Sequence, residues 1–207
     1  MNLSIDCSTF VRLASICDYF EPDLPLEIKD KINTIRIMVN NSKIIALVTN
    51  QKIAAVEYLG STTKPDCHFD LVLCPKLIEQ AKSEMPYDSK LNYEIIPEIA
   101  MATVSTTFGY VHDDNACYWF DNSPLDKWRN WVPQYIIPVN KGAMVWDVFH
   151  IESLVKSSPS GEVVFPEQID STGPVCIRDV KNSNWMGVFI PKSETNPNIS
   201  ATIPVWL

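Results

Sequence analysis

The strongest constraint on the fold is an order of predicted elements that recurs along the sequence. A strand, a helix and three strands are predicted over residues 2–59, and the same order is predicted again over residues 67–120. A third run of this kind follows over residues 134–190. Such recurrence is typical of one structural unit that is used several times. Two βαβββ units can place two helices on one face of a curved antiparallel sheet, so the sequence predicts an α+β fold.

The first repeat contains a hairpin that is visible in the apolar pattern. Two alternating stretches, residues 35–40 and 43–48, are separated by the polar pair Asn41-Ser42. This pattern is typical of two antiparallel strands joined by a tight turn. A third strand is predicted from Ile53 to Leu59, so we expect three neighbouring strands in this part of the chain.

Each repeat also contains one predicted helix. In the first repeat, Ser8-Thr9 offers an N-cap to a helix that reaches about Phe20. In the second, Pro75 suits the first helical position of a helix that runs to Met85. In the third, the spacing of the apolar residues predicts a helix or a mixed segment within residues 144–155.

The composition limits the classes of partner. The net charge is −8, from 25 acidic and 17 basic residues, which argues against a DNA-binding surface that covers the whole protein. It leaves a local basic face open. No apolar run approaches the ~20 residues that cross a bilayer, and the first residues lack the features of a signal peptide. We therefore expect a cytoplasmic protein without a membrane partner.

The cysteines and the motifs of known enzymes point away from metal sites and catalysis. The six cysteines form no C-x-x-C pair, so we expect reduced thiols, no metal and no cofactor. The sequence contains no G-x-S-x-G, P-loop, G-x-G-x-x-G or H-E-x-x-H motif. His112 and Asp113-Asp114 are interpreted as a solvated polar turn rather than a catalytic cluster. The sequence therefore predicts that the protein is not an enzyme.

Three short motifs resemble segments of the bacterial DNA polymerase sliding clamp, also called the beta clamp. Residues 49–54 (TNQKIA) look like the clamp turn T-D-G-H/Y-R-L-A, although Gln51 stands where the family has glycine. Residues 127–133 (KWRNWVP) look like its linker D-Y/W-R-R-V-L/I-P, and residues 185–191 (WMGVFIP) look like its closing segment G-V-L-M-P. The motifs occur in the order that the three units predict.

The resemblance implies a domain organisation. The chain is similar to the middle clamp domain followed by the last half of the third domain. We therefore expect a two-unit domain at residues 1–122, a linker at 123–133, a half domain at 134–192 and a tail at 193–207.

The resemblance also implies a site between these two pieces, where clamps bind short peptides of replication proteins. A pocket of this kind combines an apolar floor with a few polar groups and a cation at its rim. The turn, the linker and the closing strand supply the candidates, which are Thr49, Gln51, Lys52, Ile53, Asn130, Trp131, Val188 and Ile190.

A clamp closes as a ring around duplex DNA, so the resemblance further implies a homo-oligomer with cations facing a channel. The candidate DNA-facing residues on the predicted helices are Arg12, Lys76, Lys82 and Lys156. The expected function is that of a non-catalytic clamp-like replication protein, either a processivity factor or an adaptor or decoy for clamp partners. The alternative is an interaction protein of a phage or mobile element that inhibits one host protein.

Overall fold

The computed structural model describes residues 2–18, 33–96, 101–106, 111–112, 117–118, 147–164 and 174–189. These residues form two antiparallel sheets with helices packed against them, which confirms the predicted α+β class. The predicted linker at 123–133 and the predicted tail at 193–207 lie outside the described residues.

The described elements are grouped below into the three predicted units; unit 1 has the predicted order, and unit 2 has one strand more than predicted. Unit 1 contains β1 (Asn2–Asp6), α1 (Cys7–Ala14), β2 (Thr34–Asn40), β3 (Lys43–Thr49) and β4 (Ile53–Ser61). Unit 2 contains β5 (Cys67–Val72), α2 (Pro75–Glu84), β6 (Lys90–Ile96), β7 (Met101–Thr106), β8 (Val111–His112) and β9 (Cys117–Tyr118). The described part of unit 3 contains α3 (Val148–Ser157), β10 (Val163–Val164), β11 (Val175–Asp179) and β12 (Trp185–Phe189). Short 3-10 turns, Ser15–Asp18 and Met85–Tyr87, follow α1 and α2.

The predicted hairpin is confirmed as β2 and β3. Asn41 and Ser42 have φ angles of 49° and 64°, the left-handed conformation that a two-residue hairpin turn requires at both positions. Pro75 occupies the first turn of α2, as predicted.

The predicted start of the first helix is wrong. The N-cap of α1 is Asp6 instead of Ser8-Thr9, because the Cys7 backbone N–H is bonded to the Ser89 carbonyl at 2.9 Å and the Cys7 side chain is buried. The α-helix also ends at Ala14, before the predicted Phe20. His112, which was expected in a polar turn, lies in β8.

The strand order shows that units 1 and 2 exchange their first strands. One sheet has the order β1-β6-β7-β8, so the first strand of unit 1 joins the strands of unit 2. The other sheet has the order β10-β11-β12-β4-β3-β2-β5-β9, so the first strand of unit 2 joins the strands of unit 1. Unit 3 extends this larger sheet through the pairing of β12 with β4.

The main core lies between the helices and both sheets, and the face of the larger sheet that contributes to it is here called the inner face. Phe10 and Leu13 of α1 belong to the same buried cluster as Ile37 of β2 and Trp185 and Phe189 of β12. About 25 cal/mol is gained for each Å² of apolar surface buried, so this shared cluster is a major source of stability for all three units.

Candidate peptide-binding site

The turn between β3 and β4 is held by its own side chains. The Asn50 side-chain oxygen accepts hydrogen bonds from the backbone N–H groups of Lys52 and Ile53, each at 3.0 Å. The Thr49 hydroxyl donates to the Ile53 carbonyl at 2.6 Å and accepts from the Gln51 N–H at 3.0 Å. Thr49 and Asn50 are both buried, so these bonds are protected from water and fix the turn.

Gln51 lies at the one position of this turn that has a left-handed backbone. Its φ angle is 78°, in a region that favours glycine because a side chain there is sterically strained. The clamp turn has glycine at this point, and glycine adopts this conformation without the strain that Gln51 bears. Lys52 follows it and is half-buried.

The pairing of β12 with β4 brings the predicted turn and the predicted closing strand together. Val188 lies opposite Ala54, which in turn lies opposite Thr49 on β3. These residues lie on the outer face of the sheet, away from the main core. Leu47, Ala54 and Val188 form a small apolar cluster there, which we call the outer cluster.

Half-buried apolar side chains surround the outer cluster. They are Met38, Val56, Cys176 and Met186. Burial raises the pKa of the Cys176 thiol, although the nearby Arg178 partly opposes this, so the thiol is neutral at neutral pH. The outer face is therefore apolar around the predicted site.

Ile53 differs from its predicted role. Phe189 is its cross-strand neighbour on β12, and both side chains are buried in the main core on the inner face. Because side chains alternate along a strand, Ala54 is the residue of this strand that shares a face with Val188. Ile53 therefore supports the site from behind the sheet. Asn130, Trp131 and Ile190 lie outside the described residues.

An open groove of about 540 Å³ continues the outer face beside the outer cluster. Val56 and Met186 belong both to its lining and to the surroundings of the outer cluster. The other lining residues are Lys43, Ile45, Tyr58, Arg178 and Asn184. Sequence reasoning missed this groove, although the alternation along β3 and β4 places Ile45 and Val56 on the same face as Leu47.

Arg12 is used inside the protein. Its guanidinium donates two hydrogen bonds to the Glu57 carboxylate, at 3.0 and 3.2 Å, and a third to the Ser157 carbonyl at 2.6 Å. It also donates to the Thr9 hydroxyl at 3.0 Å. Arg12 therefore connects α1 to β4 and to the end of α3, which gives its predicted DNA-facing role no support.

The three predicted DNA-facing lysines are exposed on helices. Lys82 forms an ion pair with Glu79 at 2.8 Å, and Lys156 forms one with Glu152 at 2.8 Å. Lys76 is exposed at the start of α2. A carboxylate beside a lysine weakens its attraction for phosphate, so the local positive charge on these helices is small.

The described residues contain neither a candidate metal site nor a membrane-spanning helix. No group of three or more histidine, cysteine or acidic side chains there is arranged to hold a metal ion. None of the described helices is long and apolar enough to cross a membrane.

Comparison with known proteins identifies the fold. No protein-family model matches the sequence, and no curated protein matches it either. The sliding clamp of Pseudomonas aeruginosa, solved with a ligand, is similar with a TM-score of 0.62 and 12% identity, over 92% of this chain and 65% of that chain. A DNA polymerase III beta subunit from Borrelia burgdorferi, in complex with a natural product, has a TM-score of 0.62 and 12% identity, over 93% of this chain and 64% of that one.

A third similar structure is the sliding clamp of Bartonella birtlesii bound to griselimycin. Its TM-score is 0.56 at 12% identity, over 92% of this chain and 65% of that chain. The predicted resemblance is thus confirmed for the fold, which is that of bacterial sliding clamps. The chain spans less than two thirds of the length of each of these three clamps.

Proposed function

We propose that this chain is a non-catalytic, sliding-clamp-like protein of DNA replication that binds short apolar peptides of replication proteins. The peptide lies on the outer face of the sheet, against the outer cluster and the adjoining groove. In this role the protein is an adaptor or decoy for the partners of sliding clamps.

The observation that carries this proposal is the antiparallel pairing of β12 with β4. It aligns Thr49, Ala54 and Val188 across neighbouring strands, beside the half-buried Met186. An apolar surface with a few fixed polar groups is the chemistry that receives a short apolar peptide. Val188 and Ala54 are themselves buried, so the half-buried Met186 and the open groove offer the first contacts for a peptide.

An adaptor role fits the charges better than a role on DNA. Arg12 is engaged inside the protein, and Lys82 and Lys156 are paired with neighbouring carboxylates. Binding to duplex DNA depends mainly on cations that neutralise phosphates. The described helices therefore supply little of the attraction that a DNA channel needs.

The test is a titration with a fluorescent short peptide that binds bacterial sliding clamps. We expect saturable binding, and we expect Met186→Glu to weaken it by about tenfold or more, because the new carboxylate must be desolvated against the peptide. Tyr87→Glu is the matched control, since Tyr87 is an exposed apolar residue of unit 2 that lies outside the outer cluster and the groove. Griselimycin is a second probe, because the Bartonella birtlesii clamp was solved with it bound.

Two outcomes would contradict the proposal. One is the absence of peptide binding by the wild-type protein. The other is the capture from host lysate of a single partner unrelated to replication, which would favour the inhibitor alternative. Retention on nicked circular DNA, with release when that DNA is linearised, would instead indicate a processivity factor.

A further inference from the structure

The groove beside the outer cluster has an apolar centre. It is lined there by Ile45 of β3, Val56 of β4 and Met186 of β12, which are all half-buried. Val56 and Met186 are cross-strand neighbours, and both also pack against the outer cluster. The apolar surface of the proposed peptide site therefore continues into the groove without a break.

Two cations lie on opposite sides of this apolar centre. Lys43 of β3 and Arg178 of β11 both line the groove, and both are exposed. The strands β4 and β12 lie between β3 and β11, so three strand spacings of about 4.8 Å separate the two backbones by about 14 Å. Arg178 is the cross-strand neighbour of Met186, so it is the cation on the side of the groove that Met186 shares with the outer cluster.

The positive charge of these two residues is not neutralised by a neighbouring carboxylate of the described chain. Within the part of the chain that the structure describes, neither Lys43 nor Arg178 forms an ion pair. Most of the other described cations do form one, and these are Arg12, Arg36, Lys82, Lys90, Lys156 and Lys181. The charges of Lys43 and Arg178 are therefore available to a ligand.

Carboxylates at the ends of these strands bind other groups. The Asp66 carboxylate accepts a hydrogen bond from the Asn41 backbone N–H at 2.9 Å. The Glu162 carboxylate forms an ion pair with Lys181 at 2.9 Å. The whole chain has a net charge of −8, so a groove with two available cations differs from the average of the protein. Such a groove is complementary to an acidic ligand.

The lining of the groove fits a peptide better than a nucleic acid. Nucleic acids bind proteins mainly through many contacts between cations and phosphates. Two cations on opposite sides of an apolar centre supply few such contacts. A peptide can fill the apolar centre with an apolar side chain and place carboxylates on either side of it.

We propose that the groove selects acidic peptides, in which carboxylates flank the apolar residues that lie on the outer face. The inference rests on the proposed function, because it names the class of peptide that the same face binds. Arg178 binds one carboxylate through two parallel N–H bonds, and Lys43 attracts the other as a point charge. An extended peptide rises about 3.3 Å per residue, so carboxylates about four residues apart span the distance between the two strands.

The test compares two fluorescent forms of one short peptide that binds bacterial sliding clamps. One form has two glutamates about four residues apart, on either side of the apolar segment, and the other has glutamines at the same positions. In anisotropy titrations at about 0.1 M salt, we expect the acidic form to bind about fivefold to tenfold more tightly. At about 1 M salt the preference should largely disappear, because salt screens the charges.

Three variants show whether the groove cations cause the preference. Arg178→Gln and Lys43→Gln should each reduce it by about twofold to threefold, and the double variant should abolish it. Binding of the glutamine form should change little, which also shows that each variant is folded. Lys64→Gln is the matched control, because Lys64 is an exposed cation between β4 and β5 that does not line the groove. It should keep the full preference.

The outcomes separate this inference from the proposed function. Equally tight binding of the two peptides would overturn the inference and leave the proposed function intact, as would a double variant that keeps the preference. Binding of neither peptide would overturn both. A single-stranded DNA oligonucleotide that displaces the acidic peptide from the wild type, but does not displace it from the double variant, would assign the two cations to phosphate and overturn the inference alone.

Discussion

Replacement of Arg12 by methionine distinguishes an internal structural role from a role on DNA. Arg12 and Glu57 are 17% and 7% exposed as side chains, and the guanidinium contacts the carboxylate through two hydrogen bonds. Removing one partner of a buried ion pair costs about 3–5 kcal/mol, because the remaining charge stays buried without compensation. Partial exposure of Arg12 places the expected loss at the lower end, about 3 kcal/mol.

The bond to the Ser157 carbonyl adds to this loss. An unmade hydrogen bond to a buried carbonyl costs about 1 kcal/mol, which brings the expected total for Arg12→Met to about 4 kcal/mol. The assay is urea unfolding followed by circular dichroism. Because many domains have only about 5–15 kcal/mol of stability, such a loss is easily measured.

Two variants make the interpretation specific. The double variant Arg12→Met with Glu57→Met should recover part of the loss, since it leaves no buried charge. Lys82→Met is the matched control, because its ion pair with Glu79 is exposed and contributes about 1 kcal/mol or less. The reasoning is refuted if Arg12→Met costs no more than Lys82→Met. A loss of DNA binding without loss of stability would restore the DNA-facing role.

Three further predictions concern stability. Gly187→Ala should destabilise the protein by about 1–3 kcal/mol in urea unfolding, because a Cβ there would lie 2.6 Å from Ile177 Cγ1 and overpack the core. Burial by itself raises the pKa of Asp179, but the hydrogen bonds that it accepts outweigh this and lower the pKa from 3.8 to about 2. The ionised carboxylate therefore stabilises the fold fully above pH 3.8. The difference in the free energy of unfolding between the wild type and Asp179→Asn should shrink as the pH falls from 3.8 to about 2, and urea unfolding across that range measures it. Gln51→Gly should raise the free energy of unfolding by about 0.5–1 kcal/mol, because it removes the strain of a left-handed side-chain-bearing residue, and this gain exceeds the cost of the extra entropy of glycine in the unfolded chain. An unchanged free energy of unfolding would mean that the turn is unstrained at Gln51.

Local patterns predicted most of the strands. The hairpin of β2 and β3 follows from alternating apolar residues around Asn41-Ser42, and β4 begins at Ile53 as predicted. These signals lie within a few residues of one another, so a single stretch of sequence carries them.

The errors depend on contacts between distant parts of the chain. The start of α1 is set by a hydrogen bond from Cys7 to Ser89, and the role of Arg12 is set by Ser157 on another unit. Ile53 was predicted to line the pocket, but it lies on the inner face, and a shift of one residue is enough to move a side chain across the sheet. The register in which β4 pairs with β12 decides which residues share a face with Val188. A short sequence motif does not specify that register.

The position of a bound peptide tests the central claim most directly. The measurement is a crystal structure of the full chain with a short peptide that binds bacterial sliding clamps. The account predicts that the peptide lies on the outer face where β12 meets β4, in contact with Met186 and near Val188. A peptide bound elsewhere, or a β12 that does not pair with β4, would contradict it.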